Sequence, residues 1–171
     1  MALSPDKKRF AVRSLIAAAI CFGLAQALVY WNDGRYRIGI DFQKNVHCLP
    51  WTVFFMERKP AAWLPERGDL VQYRNPRLDR GFAAFTMSKL VMGVAGDRVQ
   101  IKGGRVYLNG RYVGGLNLSQ ALGKKPQDYA RAFTLREGEY FLMGSQPYSY
   151  DSRYWGPIRH EEIIGRVLPI F

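Results

Sequence analysis

The chain has 171 residues, carries 25 Lys and Arg against 14 Asp and Glu for a net charge of +11, and is 48% hydrophobic. That length holds one domain with a real core and leaves little room for a second. With two cysteines and two histidines, a disulfide framework and the usual zinc-ligand spacings are excluded, and the basic surplus narrows the partners to anionic ones, nucleic acid or a membrane face.

The N-terminus decides between those partners. Residues 1–13 carry Lys7, Lys8, Arg9 and Arg13 against Asp6, and the segment that follows, SLIAAAICFGLAQALVYW (14–31), has no charged residue. At about 1.5 Å per residue it reaches roughly 27 Å, close to the hydrocarbon thickness of a bilayer. Gln26 lies near one end, and Tyr30 and Trp31 fall where interfacial aromatics sit. Residues 14–31 therefore read as a transmembrane signal anchor. The basic flank 1–13 stays in the cytoplasm by the positive-inside rule, and 32–171 is exported. A cleaved signal peptide is the rival reading, since Ala25-Gln26-Ala27 offers a small-x-small site. The apolar run continues past that site through LVYW, which favours the anchor. Either reading removes nucleic acid from the partners and leaves membrane lipid as the simplest counterpart of the positive charge. Cys21 falls inside the membrane and Cys48 well beyond it, so the two do not pair.

The exported part reads as β-rich. RYRIGID (35–41) alternates Tyr36, Ile38 and Ile40 with polar or small residues, the pattern of a half-buried strand. Further strands are expected at 52–57, 69–74, 81–94, 97–102, 105–110, 139–144 and 162–170. KGGR (102–105) and LNGRYV (108–113) look like tight hairpin turns. One helix is expected at 118–133, interrupted by Pro126. Short strands punctuated by Gly, Pro, Asn and Asp suggest an antiparallel barrel or folded sheet.

The reactive side chains are few. His47 precedes Cys48 in NVHCLPW (45–51), but neighbours on an extended segment point to opposite faces, so His47 is a poor base for that thiol. His160, in IRHEEI, reads as a solvated turn. Lys89 is the single cation between Arg80 and Arg98, in a stretch rich in Phe, Ala, Met and Val. Strand alternation would place Phe85, Met87, Lys89 and Val91 on one face. A lysine on such a face either snorkels to water or is held neutral by desolvation.

The order of the blocks is more telling than any one of them: CLPW (48–51), RGDLVQY (67–73), KLVMGVAGD (89–97) and GSQPYSYDSRYWGPI (144–158). In this order the chain resembles the type I signal peptidases, Ser/Lys-dyad enzymes, and most closely their short conjugative-transfer branch, the TraF-type peptidases that mature pilin precursors. The resemblance covers the anchor and nearly all of 36–170. It implies a mainly β fold, a signal-peptidase-like folded antiparallel β-sheet domain behind one N-terminal transmembrane helix. It also implies an inner-membrane protein whose domain is periplasmic and needs no cofactor or metal. Its partners would be a pilin or another exported precursor, inner-membrane lipids and other components of the transfer system. The family's nucleophile, two residues before a proline, falls on Cys48 and its general-base lysine on Lys89. Ser149 matches the serine that orients the lysine, and Asp151 and Arg153 match a supporting buried ion pair.

A thiol or hydroxyl needs an adjacent base to act as a nucleophile, and the backbone N–H of the nucleophile can bind the oxyanion. Two departures from the family pattern stand out. Cys48 replaces serine, giving a more acidic nucleophile and a better leaving group. Val46 stands where many relatives carry a hydroxyl donor to the oxyanion, and losing one such donor costs roughly 100- to 1,000-fold in rate. These departures leave open a second reading, a catalytically silent homologue that serves as an assembly scaffold of the pilus or transfer channel. Trp51 and Trp155 are expected to pack, and Tyr148, Tyr150 and Tyr154 are candidates for a substrate groove.

Overall fold

A computed structural model of the protein describes residues 5–32, 34–41, 48–78 and 85–170, and the chain divides into two units, Met1–Tyr36 and Arg37–Phe171. The first is dominated by helix α1 (Pro5–Asn32), whose stretch Arg9–Leu28 is long and apolar enough to cross a membrane. Phe10, Leu15, Ile20, Phe22, Leu24 and Leu28 are all exposed. Apolar side chains around the whole helix suit a lipid environment better than a surface stripe packed on a core.

The second unit is built from antiparallel strands. In chain order they are β1 (Tyr36–Ile40), β2 (Val53–Arg58), β3 (Leu70–Tyr73), β4 (Met87–Gly93), β5 (Arg98–Lys102), β6 (Arg105–Leu108), β7 (Arg111–Gly115), β8 (Arg131–Thr134), β9 (Glu139–Met143), β10 (Ile158–Arg159) and β11 (Ile163–Pro169). A seven-stranded sheet runs β1-β2-β11-β3-β4-β9-β10 and a four-stranded sheet runs β7-β6-β5-β8. The mainly antiparallel β architecture expected from the sequence is thus observed.

The hairpins follow from their turn residues. Gly103 and Gly104 both take positive φ between β5 and β6, as do Asn109 and Gly110 between β6 and β7. Two consecutive left-handed residues match the twist of the flanking strands. The Gly-x-x-Gly-Asp block closes the passage from β4 to β5. Its Asp97 accepts from the Val94 N–H at 2.8 Å and the Asn109 amide at 2.7 Å. Arg67 adds a two-pronged ion pair at 2.7 and 2.9 Å, so the RGD and KLVMGVAGD blocks meet through these two side chains.

Strand β9 contributes to two cores, one on each of its faces. Its Phe141 and Met143 join Val99, Ile101, Val106 and Leu108 of the small sheet, with Tyr154. Its Tyr140 and Leu142 join Val71, Tyr73, Val91, Ile158 and Ile163 of the large one. A strand buried on both faces reads as a continuous apolar run, which is what YFLM (140–143) is.

Three expectations need correction. The segment 118–133 is not an α-helix: it holds turns, a 3-10 helix at Pro126–Tyr129 and strand β8. Pro126 opens the 3-10 helix, a position where its missing N–H costs nothing. Arg-Ala-Phe-Thr pairs with β5, a tertiary partner no local pattern reveals. Of the strand expected at 81–94, residues 81–84 lie outside the described residues and regular pairing begins at Met87. Phe85 is 63% exposed and does not continue the buried face. Strand β7, the two-residue β10 and a short helix α2 (Ser152–Trp155) were not anticipated.

Candidate active site

Lys89 sits in the middle of β4. Its cross-strand partner on β3 is Val71, and Val91, two residues on, pairs with Leu142 of β9. Directly opposed residues share a face, so Lys89 rises among Val71, Val91 and Leu142, all fully buried, and is itself only 3% exposed. Among the described residues its ammonium group has no carboxylate or hydrogen-bond partner. The residue is buried among apolar neighbours and at the same time lines a groove.

Cys48 precedes Leu49, which is buried with Phe54, Leu70 and Val167. This packing against β2, β3 and β11 anchors the half-buried Cys48 beside the large sheet. Cys48 and Lys89 both line one groove of about 940 Å³, whose walls include Ile40, Phe54, Met56, Met87, Tyr148 and Tyr150. The groove is mostly apolar, with β1 and β2 contributing one side.

The loop after β9 brings the remaining residues alongside. Gly144 is the crossing point: a Cβ built on it would stand 2.3 Å from the Ser149 Oγ and 2.6 Å from the Cys48 carbonyl oxygen. No side chain fits between the Cys48 backbone and the Ser149 side chain at this point. The Ser149 hydroxyl is fully buried and has no hydrogen-bond partner among the described residues. It therefore makes no bond to Lys89 here, although such a buried hydroxyl gains by finding a partner.

Below the loop, Arg153 Nε donates to Asp151 Oδ1 and Nη2 to Oδ2, each at 2.7 Å. Both side chains are almost completely buried. The same guanidinium donates to the carbonyls of Ser149 at 2.9 Å and Gly115 at 2.8 Å, and Asp151 accepts from the Gly144 N–H at 3.0 Å. One ion pair thus ties both ends of the 144–149 loop. Burial tends to lower the Arg153 pKa, but the Asp151 carboxylate outweighs it and raises it, with weaker help from Tyr154 and Cys48.

Tyr73 was not singled out by sequence. It is fully buried on the same sheet face as Lys89, opposite Met87, and its ring lies 5.7 Å from that of Trp155. Burial, then the fields of Asp151, Cys48 and Tyr150, push its phenol well above the ordinary range. Trp155 packs against both cores. Tyr148 and Tyr150 do line the groove. Tyr154 does not: its ring packs edge-on against Tyr129 at 5.4 Å and its hydroxyl accepts from the Leu118 N–H at 2.8 Å.

Of the two histidines only His160 belongs to the described residues. Val46 and His47 lie outside the described residues. His160 belongs to a 3-10 helix (His160–Glu162) before β11, where its carbonyl accepts from Lys59 at 2.8 Å. Burial, then the nearby Lys59, lower its pKa. No group of His, Cys, Asp and Glu suited to a metal ion occurs among the described residues.

Comparison with known proteins gives the family of the chain. The family described as signal peptidase, peptidase S26, matches residues 11–171. A signal peptidase I of Leptolyngbya laminosa is 32% identical over 117 residues, 63% of this chain and 53% of that protein. The conjugal transfer protein TraF of Agrobacterium fabrum (strain C58) is 33% identical over 126 residues, 72% of this chain and 64% of that protein. The chain thus spans about half to two thirds of the length of these relatives. A solved signal peptidase I of Enterococcus faecalis V583 is 26% identical, covering 61% of this chain and 97% of that one, with a TM-score of 0.38. The family match runs from within the N-terminal helix to the last residue, and the chain belongs to the signal peptidase family, peptidase S26.

Proposed function

We infer that the protein is a membrane-anchored endopeptidase that cleaves exported precursors after small residues, with Cys48 as nucleophile and Lys89 as general base. The observation that carries this reading is the shared groove: a cysteine and a buried lysine, the latter with no carboxylate partner among the described residues, line the same apolar cleft. An amine that lines the same cleft as a thiol is placed to exchange a proton with it.

In the proposed reaction the Cys48 sulfur attacks the scissile carbonyl carbon while Lys89 Nζ takes the thiol proton. The oxyanion is met by the Cys48 backbone N–H. Collapse breaks the C–N bond, and Lys89 hands its proton to the departing amine. Water then attacks the thioester, giving a proton to Lys89, and the carboxyl product leaves as the proton returns to sulfur. Ser149, beside Cys48 across Gly144, is the candidate to steer the lysine, and Asp151 with Arg153 holds the loop that carries it.

The likeness to a conjugal transfer protein supports a pilin precursor of a conjugative transfer or type IV secretion system as substrate. The apolar helix is the anchor, with the N-terminus cytoplasmic and the β-domain periplasmic at the inner membrane. Co-expression of the pilin precursor of the same transfer system with wild type, Cys48→Ala, Cys48→Ser and Lys89→Ala tests this. Processing is expected to vanish in both alanine variants and to persist, slowed, in Cys48→Ser. A Cys48→Ala protein that processes as well as wild type would overturn the mechanism. Normal transfer with that variant, together with loss on deleting the domain, would establish the scaffold role instead.

A further inference from the structure

The small sheet turns one face to the shared core and the other to solvent, and the outer face has an unusual makeup. Residues 98–112, RVQIKGGRVYLNGRY, contain Arg98, Lys102, Arg105 and Arg111 and no Asp or Glu. On β5 the inward Val99 and Ile101 are buried while Arg98 and Lys102 are exposed. On β6 Val106 and Leu108 are buried and Arg105 is exposed. The cross-strand register sets Lys102 opposite Arg105 and Tyr107 opposite Tyr112. Opposed like charges destabilise a strand pair. Among the described residues none of the four cations has a carboxylate partner. The nearest acid in sequence, Asp97, is already taken up by Arg67 and Asn109.

Between the cations lie two aromatic rings. Tyr107 and Tyr112 meet edge to face with centroids 6.0 Å apart, and the Lys102 ammonium stands 5.8 Å over Tyr107. Tyrosine offers rigid, amphipathic contact area and, with arginine, is enriched at protein interfaces. A face that enters a lipid headgroup layer instead needs large aliphatic, Phe or Trp side chains to bury. Strands β5 to β8 expose Tyr112 and no Leu, Ile, Phe or Trp among the large exposed hydrophobics.

We propose that the outer face of β5–β7, built on Arg98, Lys102, Arg105, Tyr107 and Tyr112, docks an acidic segment of a partner protein. Charge complementarity selects the segment, and the rigid strands space the cations for it: side chains two residues apart on one face repeat at about 6.8 Å. No residue of this face lines the groove that holds Cys48 and Lys89. Docking here leaves the cleft open, so the site and the partner are engaged together.

The test uses the full chain in nanodiscs of uncharged lipid. Three probes are offered: a fluorescein-labelled dodecapeptide rich in Glu and Asp, phosphatidylglycerol vesicles and a single-stranded oligonucleotide. Fluorescence anisotropy is expected to show peptide binding that weakens with salt. It should fall at least tenfold in Lys102→Glu/Arg105→Glu and severalfold in Tyr107→Ala. Lys124→Glu/Lys125→Glu, which makes the same charge change outside these strands, should shift it less than twofold. Peptide binding equal in wild type and the Lys102→Glu/Arg105→Glu variant would overturn the proposal. So would an equal effect of the Lys124/Lys125 pair, or vesicle or oligonucleotide binding that depends on this face while the peptide does not bind. Precursor processing by the face variants should stay at the wild-type rate, which separates this proposal from that of the catalytic mechanism.

Discussion

Asp151 and Arg153, two residues apart, grip each other through two 2.7 Å hydrogen bonds with no water access. The fork geometry requires arginine, because lysine presents a single point charge. Asp151→Ala leaves a buried guanidinium unpaired and is expected to cost about 3–5 kcal/mol, read by denaturant unfolding of the detergent-solubilised chain. Asp151→Ala/Arg153→Met removes both charges and should recover part of that loss. A double variant no more stable than the single one would mean the pair is not the source of the effect.

Ser149 sets up an opposite pattern. Its buried hydroxyl has no partner among the described residues, so Ser149→Ala removes an unsatisfied group and should leave stability unchanged or slightly raised. Under the proposed mechanism the same variant loses its steering of Lys89, and processing should drop about tenfold or more. Stability and activity moving together would show that the serine is a packing residue.

Gly144→Ala should be among the most damaging small changes. The new methyl would overlap both Ser149 Oγ and the Cys48 carbonyl, forcing the nucleophile loop away from the loop after β9. Overpacking of this kind costs about 1–3 kcal/mol, and a displacement near 1 Å is enough to lower turnover about 100-fold. Single-turnover cleavage of the precursor by an otherwise folded Gly144→Ala protein measures it.

Acid sensitivity should trace in part to Asp97. Burial works to raise its pKa, but the Val94 N–H, the Asn109 amide and Arg67 together outweigh it and hold the carboxyl below its ordinary value of 3.8. A depressed folded pKa adds stability that is fully present above the unfolded value and is lost as pH falls through the folded one. Melting temperature should therefore fall below about pH 4. Asp97→Asn should be less stable at neutral pH and show a shallower acid limb. An unchanged acid limb would remove Asp97 from the account.

The sequence made the local features readable and left the pairings hidden. Gly-Gly and Asn-Gly mark the two hairpins because left-handed backbone has few suitable residues, and both turns fell where those dipeptides lie. Lys89 stood out as a lone cation in an apolar strand, and its burial follows from that strand being central. Strand β8 could not be read, since Arg-Ala-Phe-Thr has no pattern of its own and becomes a strand by pairing with β5. Gly144 and Tyr73 were missed for a related reason. What matters about each is a close approach between segments distant along the chain, and neither has a signature in its own neighbours. Phe85 misled because strand alternation was extended past the point where regular pairing begins.

The chain leaves the large sheet after β4, builds the whole small sheet, and re-enters as β9, the immediate neighbour of β4, with Gly93 paired to Phe141. The excursion starts and ends at almost the same place, so in principle its length is free: added residues in its turns change little in loop-closure entropy. What is not free is its underside, because Val99, Ile101, Val106 and Leu108 share a core with Phe141, Met143 and Tyr154. The small sheet is therefore a cartridge with a fixed fitting and an open outer face. Engineers can recut that outer face to suit a new escort while Lys89 on β4 and Ser149 after β9 stay where they are.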